Sequence, residues 1–405
     1  MCAKKKLFIL GGSPYQLRLV EAAKKAGIYT VVCNWSEDCA ARTACDKFYV
    51  QNYMDKEQVL AIAKSEAVDG VISNSEAAML IVAYVAENLG LPGNSVRGVE
   101  QLVSKTAFRQ LQRDAGVYAP RNFECASWEE FQNQIGNLTF PIIIKPCESS
   151  GTRGTTRVDS PTDTENQRKA FEDCLRFSVN DRVSVEEFVE MSLLTVIDGD
   201  VFVCDDDFLW NGFFTCYRSR HATMLPMMES FPIVITDKDF NIVKDCLKRI
   251  FSQAGITHGQ YNAEMYFTKT GELFVIEINA RQGGNNIPHL IELHSGIDYD
   301  KLLVTTSVGD KSYLKEALNS KEAIRYITQY VVFGRNNGVL SRIEIQPELE
   351  AYLIERTDLK KSGDKVVTGT NAGDAISRLV FDFHDFDTQQ HYVNDIESYI
   401  SAIVD

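Results

Sequence analysis

The first hundred residues alternate short apolar runs with amphipathic stretches. Apolar runs at 7–10, 29–33 and 71–73 have the length of buried strands, and helical patterns occupy 56–65 and 76–89. This alternation predicts βαβ units, and therefore a parallel sheet with right-handed crossovers. The hydrophobic pattern thus indicates an α/β fold at this end of the chain.

The other end of the chain carries further strand and helix patterns. From residue 323 onward we expect strands to dominate, with helices near the end. The predicted elements are strands at 326–333, 341–345 and 366–369, and helices at 372–380 and 391–404.

The segment 276–281 combines polar and apolar residues in strict alternation. Glu277, Asn279 and Arg281 are separated by single apolar residues. On a β-strand this spacing places the three polar side chains on one face, and Ile276 and Ile278 on the other. We therefore expect one face of this strand to be buried and the other to carry chemistry.

A second carboxylate is predicted to lie opposite Glu277. The preceding strand, 261–267, carries Glu264, and a symmetric reversal about residues 270 and 271 pairs Glu264 with Glu277, with Cβ atoms ~5 Å apart. Two carboxylates this close oppose each other's ionisation, and a divalent cation removes the conflict. Because all the donors are oxygens, with the amide of Asn279 as the third, the set favours Mg²⁺ or Mn²⁺ over zinc.

A loop rich in Ser, Thr and Gly follows the predicted strand 141–145. Such a loop, at 147–156, can direct several backbone N–H groups at phosphate oxygens. It is not a Walker A loop, because Lys145 precedes the glycines. The earlier turn at 11–16 lacks the later glycines of a dinucleotide-binding fingerprint, which disfavours NAD.

Composition narrows the class of protein. A chain of 405 residues suggests two or three domains, and its 44% hydrophobic and 24% charged residues are typical of a globular protein. The net charge of −14 disfavours nucleic acid and anionic membranes as partners. Ten cysteines without a C-x-x-C pair, no signal peptide and no apolar stretch of membrane length predict a cytoplasmic protein.

Several features occur in one order along the chain: Lys105, Lys145, the Ser/Gly loop, the segment 185–189, and the predicted hairpin that carries Glu264 and Glu277, which we call the acidic hairpin. This order resembles the ATP-grasp superfamily of carboxylate–amine ligases, and the run 279–288 is most similar to its L-amino-acid ligase (dipeptide-forming) branch. The resemblance implies a three-domain α/β architecture. The expected parts are an N-terminal parallel-sheet domain at 1–102, an ATP-grasp core of two α+β subdomains at 103–310 with a mobile lid at about 120–190, and a C-terminal α+β lid domain at 311–405.

The resemblance also implies a role for each residue of the site. ATP would be held by Lys105, Lys145, Ser149, Ser150, Gly151, Thr152, Gly154, Glu186, Glu187, Phe188, Val189 and Glu190, with adenine against the backbone of Glu187 and Val189. Two Mg²⁺ ions, with Mn²⁺ as the alternative, would bind Glu264, Glu277 and Asn279. Arg281 and Lys145 would be catalytic, acting on the transferring phosphoryl group. The substrate would contact Arg281, Gly283, Gly284, Asn286, Arg218 and His221.

The implied reaction joins two small molecules at the expense of ATP. A carboxylate, expected to be an amino acid, becomes an acyl phosphate, and an amine then displaces phosphate. The chain departs from the family at the ribose, because Leu193 stands where relatives often carry a carboxylate; Glu190 is a substitute three residues earlier. A homodimer is the assembly usual among relatives.

Two other functions remain open from the sequence. One is a biotin-carboxylase-like or purine-pathway enzyme that activates bicarbonate or formate, which the run 283–286 disfavours. The other is a non-catalytic nucleotide-binding regulator. The paired acids and the two lysines argue against that, because a site without turnover does not need adjacent carboxylates.

Overall fold

The computed structural model describes residues 4–147, 154–178, 180–192, 195–218, 225–320, 324–369 and 372–405. In these ranges the chain forms an N-terminal sheet, a second sheet, a long central sheet and a small C-terminal sheet. None of the helices found there is long and apolar enough to cross a membrane.

The N-terminal sheet is parallel, as the alternating pattern predicts. Its strands run in the order β3-β2-β1-β4, and helices connect β1 to β2 and β3 to β4. Helix α1 begins with a capping box between Ser13 and Gln16, followed by Pro14 in its first turn. The elements are β1 Lys6–Leu10, α1 Pro14–Lys25, β2 Tyr29–Asn34, β3 Lys47–Val50, α2 Lys56–Glu66, β4 Gly70–Ile72 and α3 Met79–Leu89.

Two helices lead from this sheet to an antiparallel second sheet in the order β5-β8-β6-β7. Trp128, Phe131 and Phe171 pack their rings together beneath it, with ring centroids 4.8–5.8 Å apart. The elements are α4 Val96–Val103, α5 Lys105–Asp114, β5 Asn122–Cys125, α6 Trp128–Ile135, β6 Ile142–Pro146, β7 Thr156–Val158, α7 Thr164–Phe177 and β8 Val183–Glu187.

The central sheet is antiparallel and runs in the order β13-β12-β9-β10-β11-β14-β18-β16. It crosses the predicted domain boundary at 310, because β11 pairs with β14. The first elements are β9 Thr195–Cys204, β10 Asp207–Arg218, β11 Pro226–Ser230, α8 Asp237–Ala254, β12 His258–Phe267, β13 Leu273–Asn279, α9 Ile287–Ser295, α10 Tyr299–Ser307 and α11 Ser312–Asn319. The remaining elements are β14 Tyr326–Val332, β15 Gly338–Ile345, α12 Pro347–Glu350, β16 Leu353–Asp358, β17 Lys365–Val366, β18 Ser377–Phe383, α13 Phe386–Val393, α14 Ile396–Tyr399 and β19 Ile400–Val404.

The two faces of the central sheet are buried in different cores. On β9, Val201 and Val203 point into a core with α5 and α8, whereas Phe202 and Cys204 point into a core with α1, α9 and α10. The second core also contains apolar residues of the N-terminal sheet, such as Ile9. The polar residues of the site lie on this second face.

Two helix predictions near the C-terminus are wrong. The expected helix at 372–380 is a short 3₁₀ turn followed by β18, in which Leu379, Phe381 and Phe383 bury one face at a spacing of two. The expected helix at 391–404 ends early, and its last residues form β19. Pairing of β19 with β15 overrides the local helical pattern there.

Beneath the polar face, β9 and β10 approach closely at a glycine. Gly212 pairs with Asp200, and a Cβ on Gly212 would lie 2.1 Å from the Asp200 carbonyl oxygen. We predict that Gly212→Ala lowers the free energy of unfolding by about 1–3 kcal/mol, because backbone must move to admit the methyl group. Urea denaturation measures this. Gly136→Ala is the control, since its methyl group would meet no atom within 4 Å; equal midpoints for the two variants would contradict the prediction.

Candidate active site

The acidic hairpin forms as predicted, but its connection and its register differ from the prediction. Glu264 on β12 lies opposite Glu277 on β13, which confirms the predicted pairing. The connection is five residues long rather than two or four, and Phe267 pairs with Leu273. A bulge at Ile276 then adds the residue that brings Glu264 and Glu277 into register.

The bulge also changes which face Ile276 occupies. The prediction that Ile276 shares a face with Ile278 is wrong: Ile276 packs beside Phe274, whereas Ile278 lies in the core against α8. The extra residue shifts the alternation of side chains by one position.

A third carboxylate extends the pair into a row. The register of β9 against β12 runs without a shift from Asn262 opposite Asp200 to Met265 opposite Ile197, so Asp198 lies beside Glu264. The sequence reasoning missed both aspartates. Their spacing of two in a strand next to the hairpin is a signal that would have indicated them.

Amide side chains form the neighbouring row on the same face. The Asn262 Nδ2 donates to Asp198 Oδ1 at 2.9 Å, and Asn279 Nδ2 donates to Glu277 Oε1 at 3.1 Å. Asp200 accepts a hydrogen bond from the N–H of Gly283 at 3.0 Å. Burial raises the pKa of Asp200 to about 6, although this bond stabilises its charged form.

Arg218 supplies a positive charge to the acidic row. Its guanidinium forms an ion pair with Glu264. Burial raises the pKa of Glu264; Arg218 opposes that shift and the Glu277 carboxylate adds to it. Burial, followed by the charge of Glu264, raises the pKa of Asp198 well above its ordinary value. Arg218, predicted as a substrate contact, therefore lies directly on the predicted metal site.

A second charged centre joins the second sheet to the central sheet. The Glu186 carboxylate lies 2.5 Å from Lys145 Nζ and 2.9 Å from Arg109 Nε. Burial disfavours the Glu186 anion, but the two cations outweigh it and lower its pKa to about 2. Burial in turn lowers the pKa of Lys145. Arg109 thus holds Glu186, and Glu186 in turn holds Lys145. The sequence reasoning missed Arg109 because an arginine in an amphipathic helix gives no signal of burial.

Arg109 also stabilises the bulge. Its guanidinium donates to the carbonyl oxygens of Val275 at 3.2 Å and Ile276 at 2.9 Å. Gln112 donates to the Val275 carbonyl as well, at 2.9 Å. Because β13 is the edge strand of the central sheet, these carbonyls depend on side chains for their hydrogen bonds.

An apolar cluster lies between the two sheets. Val189 packs with Tyr266 and Phe274, and the Tyr266 hydroxyl donates to the Val189 carbonyl at 2.7 Å. In the described ranges the Val189 N–H donates to no acceptor. Phe188 stacks under the guanidinium of Arg157 at 4.2 Å. The cluster gives a flat ring an apolar surface beside an available backbone donor.

The other predicted ATP contacts surround this cluster. Lys105 Nζ donates to the Cys147 carbonyl at 3.4 Å. Glu187 accepts from the Thr139 N–H at 2.8 Å, and Glu190 forms an exposed ion pair with Lys269. Gly154 has a left-handed φ of 74°. The predicted residues Ser149, Ser150, Gly151, Thr152, Leu193 and His221 lie outside the described residues.

The loop after β13 is fastened to the N-terminal domain. Arg281 donates a hydrogen bond to Glu76 at 3.0 Å, and Arg18 donates one to the side-chain oxygen of Asn286. The buried Gln282 donates to Asp300 at 2.6 Å.

Gly283 and Gly284 complete this loop. A Cβ on Gly283 would lie 2.9 Å from the Asp200 carboxylate, so glycine is needed there, whereas Gly284 is exposed and contacts nothing within 4 Å of its Cβ position. The predicted substrate residues Arg281, Gly283, Gly284 and Asn286 thus lie on one turn, which contacts Asp200 on β9.

Family models match two parts of the chain. Residues 20–93 match the ATP-grasp N-terminal domain, and residues 138–289 match the ATP-grasp domain. The second match includes Lys145, Glu186 and both hairpin acids. The chain belongs to the ATP-grasp superfamily. Enzymes of this superfamily are ATP-dependent ligases that use ATP with Mg²⁺.

The curated relatives of this ATP-grasp chain differ in their named functions. An uncharacterized protein y4rH of Sinorhizobium fredii is 26% identical over 287 residues, which are 70% of this chain and 57% of that protein. A formate-dependent phosphoribosylglycinamide formyltransferase of Bacillus subtilis is 27% identical over 303 residues, 72% of this chain and 74% of the relative. An alanine–anticapsin ligase of Bacillus subtilis is 24% identical over 343 residues, with coverages of 79% and 71%.

Solved structures establish the ATP-grasp fold for the whole chain. An L-amino acid ligase from Bacillus licheniformis superposes with a TM-score of 0.80 at 17% identity, covering 100% of both chains. A phosphoribosylglycinamide synthetase from Anaerococcus prevotii superposes with a TM-score of 0.73 at 21% identity, again over 100% of both chains.

The role of Arg109 can be tested by stability. We predict that Arg109→Met lowers the free energy of unfolding by about 3 kcal/mol, because it removes one cation from the buried Glu186 and leaves bulge carbonyls without a donor. Urea denaturation gives the value. Arg113→Met, on the exposed side of the same helix, should cost less than about 1 kcal/mol. A loss at Arg109 no larger than at Arg113 would contradict this account.

Proposed function

We propose that the protein activates a small carboxylate, an amino acid, as an acyl phosphate and joins it to an amine, with release of ADP and phosphate. The observation that carries this proposal is the row of carboxylates formed by Asp198, Glu264 and Glu277. A triphosphate cannot bind beside three acids unless cations neutralise the charge between them. The row therefore fits a metal–nucleotide complex.

The donor set fits magnesium. Glu264 and Glu277 offer carboxylate oxygens, and Asn279 offers an amide oxygen, which are the ligands that this ion prefers. Arg218 already neutralises Glu264, which is the electrostatic role that a bound cation would take over. We propose two Mg²⁺ ions at these residues. When bound there, they would neutralise charge on the transferring phosphate.

The remaining ATP contacts would come from the region between the second sheet and the central sheet. Lys145 and Lys105 lie between the sheets, where ammonium groups suit phosphate oxygens. The apolar cluster of Val189, Tyr266 and Phe274 suits adenine, with the Val189 N–H as the donor. Glu186 then acts mainly by orienting Lys145.

The chemistry has two steps. The substrate carboxylate attacks the γ-phosphorus of ATP, and ADP leaves. An amine then attacks the acyl carbon, the bond to phosphate breaks, and the amine loses a proton. Arg281 is suited to bracing the anionic groups in both steps, because its guanidinium is held in place by Glu76 and by the Gln282 carbonyl. The second sheet, within about 120–190, is the expected lid that keeps water from the acyl phosphate.

The comparisons favour amino acids as substrates. The alanine–anticapsin ligase aligns with 79% of this chain, and the L-amino acid ligase superposes over its whole length. The glycine-rich turn at 283–286 supports the same branch. A second candidate is activation of formate, since the formate-dependent formyltransferase is 27% identical. Both candidates share the acyl phosphate and differ in the carboxylate.

The metal assignment is tested by removing one charge. We predict that Glu277→Gln reduces ATP turnover at least about 100-fold, because deletions in electrostatic sites cost roughly 3–4 kcal/mol. Phosphate release measures turnover, and circular dichroism checks the fold. Glu272→Gln, in the turn of the same hairpin, is the control and should keep full activity. Activity of Glu277→Gln within threefold of wild type would exclude this carboxylate from the site.

The substrate class is tested by a panel. With ATP, Mg²⁺ and pairs of amino acids, we predict that phosphate and ADP appear in equal amounts only when both the carboxylate and the amine partner are present. Coupled assays for ADP and phosphate, with mass spectrometry of the product, give the answer. Turnover with formate alone among carboxylates would favour the second candidate, and formation of AMP and pyrophosphate would refute the acyl phosphate.

A further inference from the structure

Cys204, Asp205 and His258 meet at the opposite end of the central sheet from the ATP site. Cys204 and His258 are paired in register on β9 and β12, so their side chains share one face. His258 lies six residues along β12 from Glu264, or about 20 Å away. The function proposed above uses none of these three residues.

Asp205 is directed towards this pair by the backbone. It has a left-handed φ of 54°, and its N–H donates to the Thr257 carbonyl at 2.7 Å. One donor atom from each of Cys204, Asp205 and His258 lies within 4.8 Å of the other two. The sulfur, oxygen and nitrogen donors are therefore close enough together for one ion to contact all three.

The distance between two of the donors is close to that between ligands of a tetrahedral ion. Asp205 Oδ1 and His258 Nε2 are 3.5 Å apart. Two ligands at zinc bond lengths of about 2.0–2.1 Å in a tetrahedron are separated by roughly 3.3 Å. Only a small movement would be needed to place both on one ion.

Contacts around the site orient the donor atoms of His258 and Asp205. The His258 Nδ1 lies 2.9 Å from the Thr257 hydroxyl, which leaves Nε2 directed at Asp205. Lys311 pairs with Oδ2 of Asp205, which leaves Oδ1 directed at His258. Asn94 fixes the backbone, accepting from the N–H groups of Thr257 at 2.9 Å and His258 at 3.1 Å.

The donor types suit a metal. Imidazole nitrogen, carboxylate oxygen and thiolate sulfur are the three kinds of ligand that hold zinc in proteins. A bound dication would deprotonate the thiol.

We propose that Cys204, Asp205 and His258 bind a divalent transition-metal ion, with Zn²⁺ as the ion that this mixture of sulfur, oxygen and nitrogen donors fits best. The site ties the β9–β10 hairpin to the start of β12. It is separate from the magnesium site, whose donors are all oxygens.

Cobalt spectroscopy tests the site directly. Chelator-treated protein with saturating Mg²⁺ and ATP is titrated with Co²⁺, and thiolate ligation gives a charge-transfer band in the near ultraviolet. We expect this band to saturate at one equivalent, to vanish in Cys204→Ser and His258→Gln, and to persist in Cys45→Ser and Glu277→Gln. Absence of the band in wild type, or its survival in Cys204→Ser, would overturn the proposal.

Variants at exposed positions give a second test, because replacing the buried Cys204 can disturb the fold. Asp205→Asn changes an exposed carboxylate, and Asp206→Asn changes its exposed neighbour. Competition with a chromophoric chelator should show Zn²⁺ binding at least tenfold weaker in Asp205→Asn and unchanged in Asp206→Asn. Equal affinity in both would overturn the proposal. Loss of Zn²⁺ binding with normal ATP turnover would leave the ligase function intact.

Discussion

Repulsion among Asp198, Glu264 and Glu277 is the constraint on which the site depends. Antiparallel pairing aligns these carboxylates across three neighbouring strands, on one face of the central sheet. Such an arrangement is costly unless a cation lies among them. In the protein alone Arg218 fills that role in part, by pairing with Glu264. A fold that keeps three acids together at this cost retains them for charge-dependent chemistry.

The register that creates the row is itself maintained by distant parts of the chain. A single bulge at Ile276 brings Glu277 opposite Glu264, and Arg109 satisfies the carbonyl groups exposed by it. The same guanidinium pairs with Glu186, which in turn holds Lys145. One buried arginine therefore connects the metal ligands on the central sheet to the phosphate-binding side chain on the second sheet. Closure of the lid and geometry at the metal would be coupled through it.

Local patterns predicted most of this arrangement. The alternation around Glu277 was enough to identify the hairpin and its pairing with Glu264, because period-two patterning fixes which side chains share a face. The position of Ile276 was not predictable, since a bulge depends on contacts from another element. Arg109 was missed for the same reason, since burial of a charge is decided by partners far away in sequence, whereas the spacing of Asp198 and Asp200 was a signal that went unused. The C-terminal strand β18 was mistaken for a helix because its pairing partners, β14 and β16, lie elsewhere in the sequence.

A crystal structure with ADP and Mg²⁺ tests the central claim most directly. The account predicts Mg²⁺ coordinated by the carboxylates of Glu264 and Glu277, with the Arg218 guanidinium displaced from Glu264 and the adenine ring against Val189 and Phe274. Nucleotide bound elsewhere, with Glu264 still paired to Arg218 and no ion between the two glutamates, would contradict it.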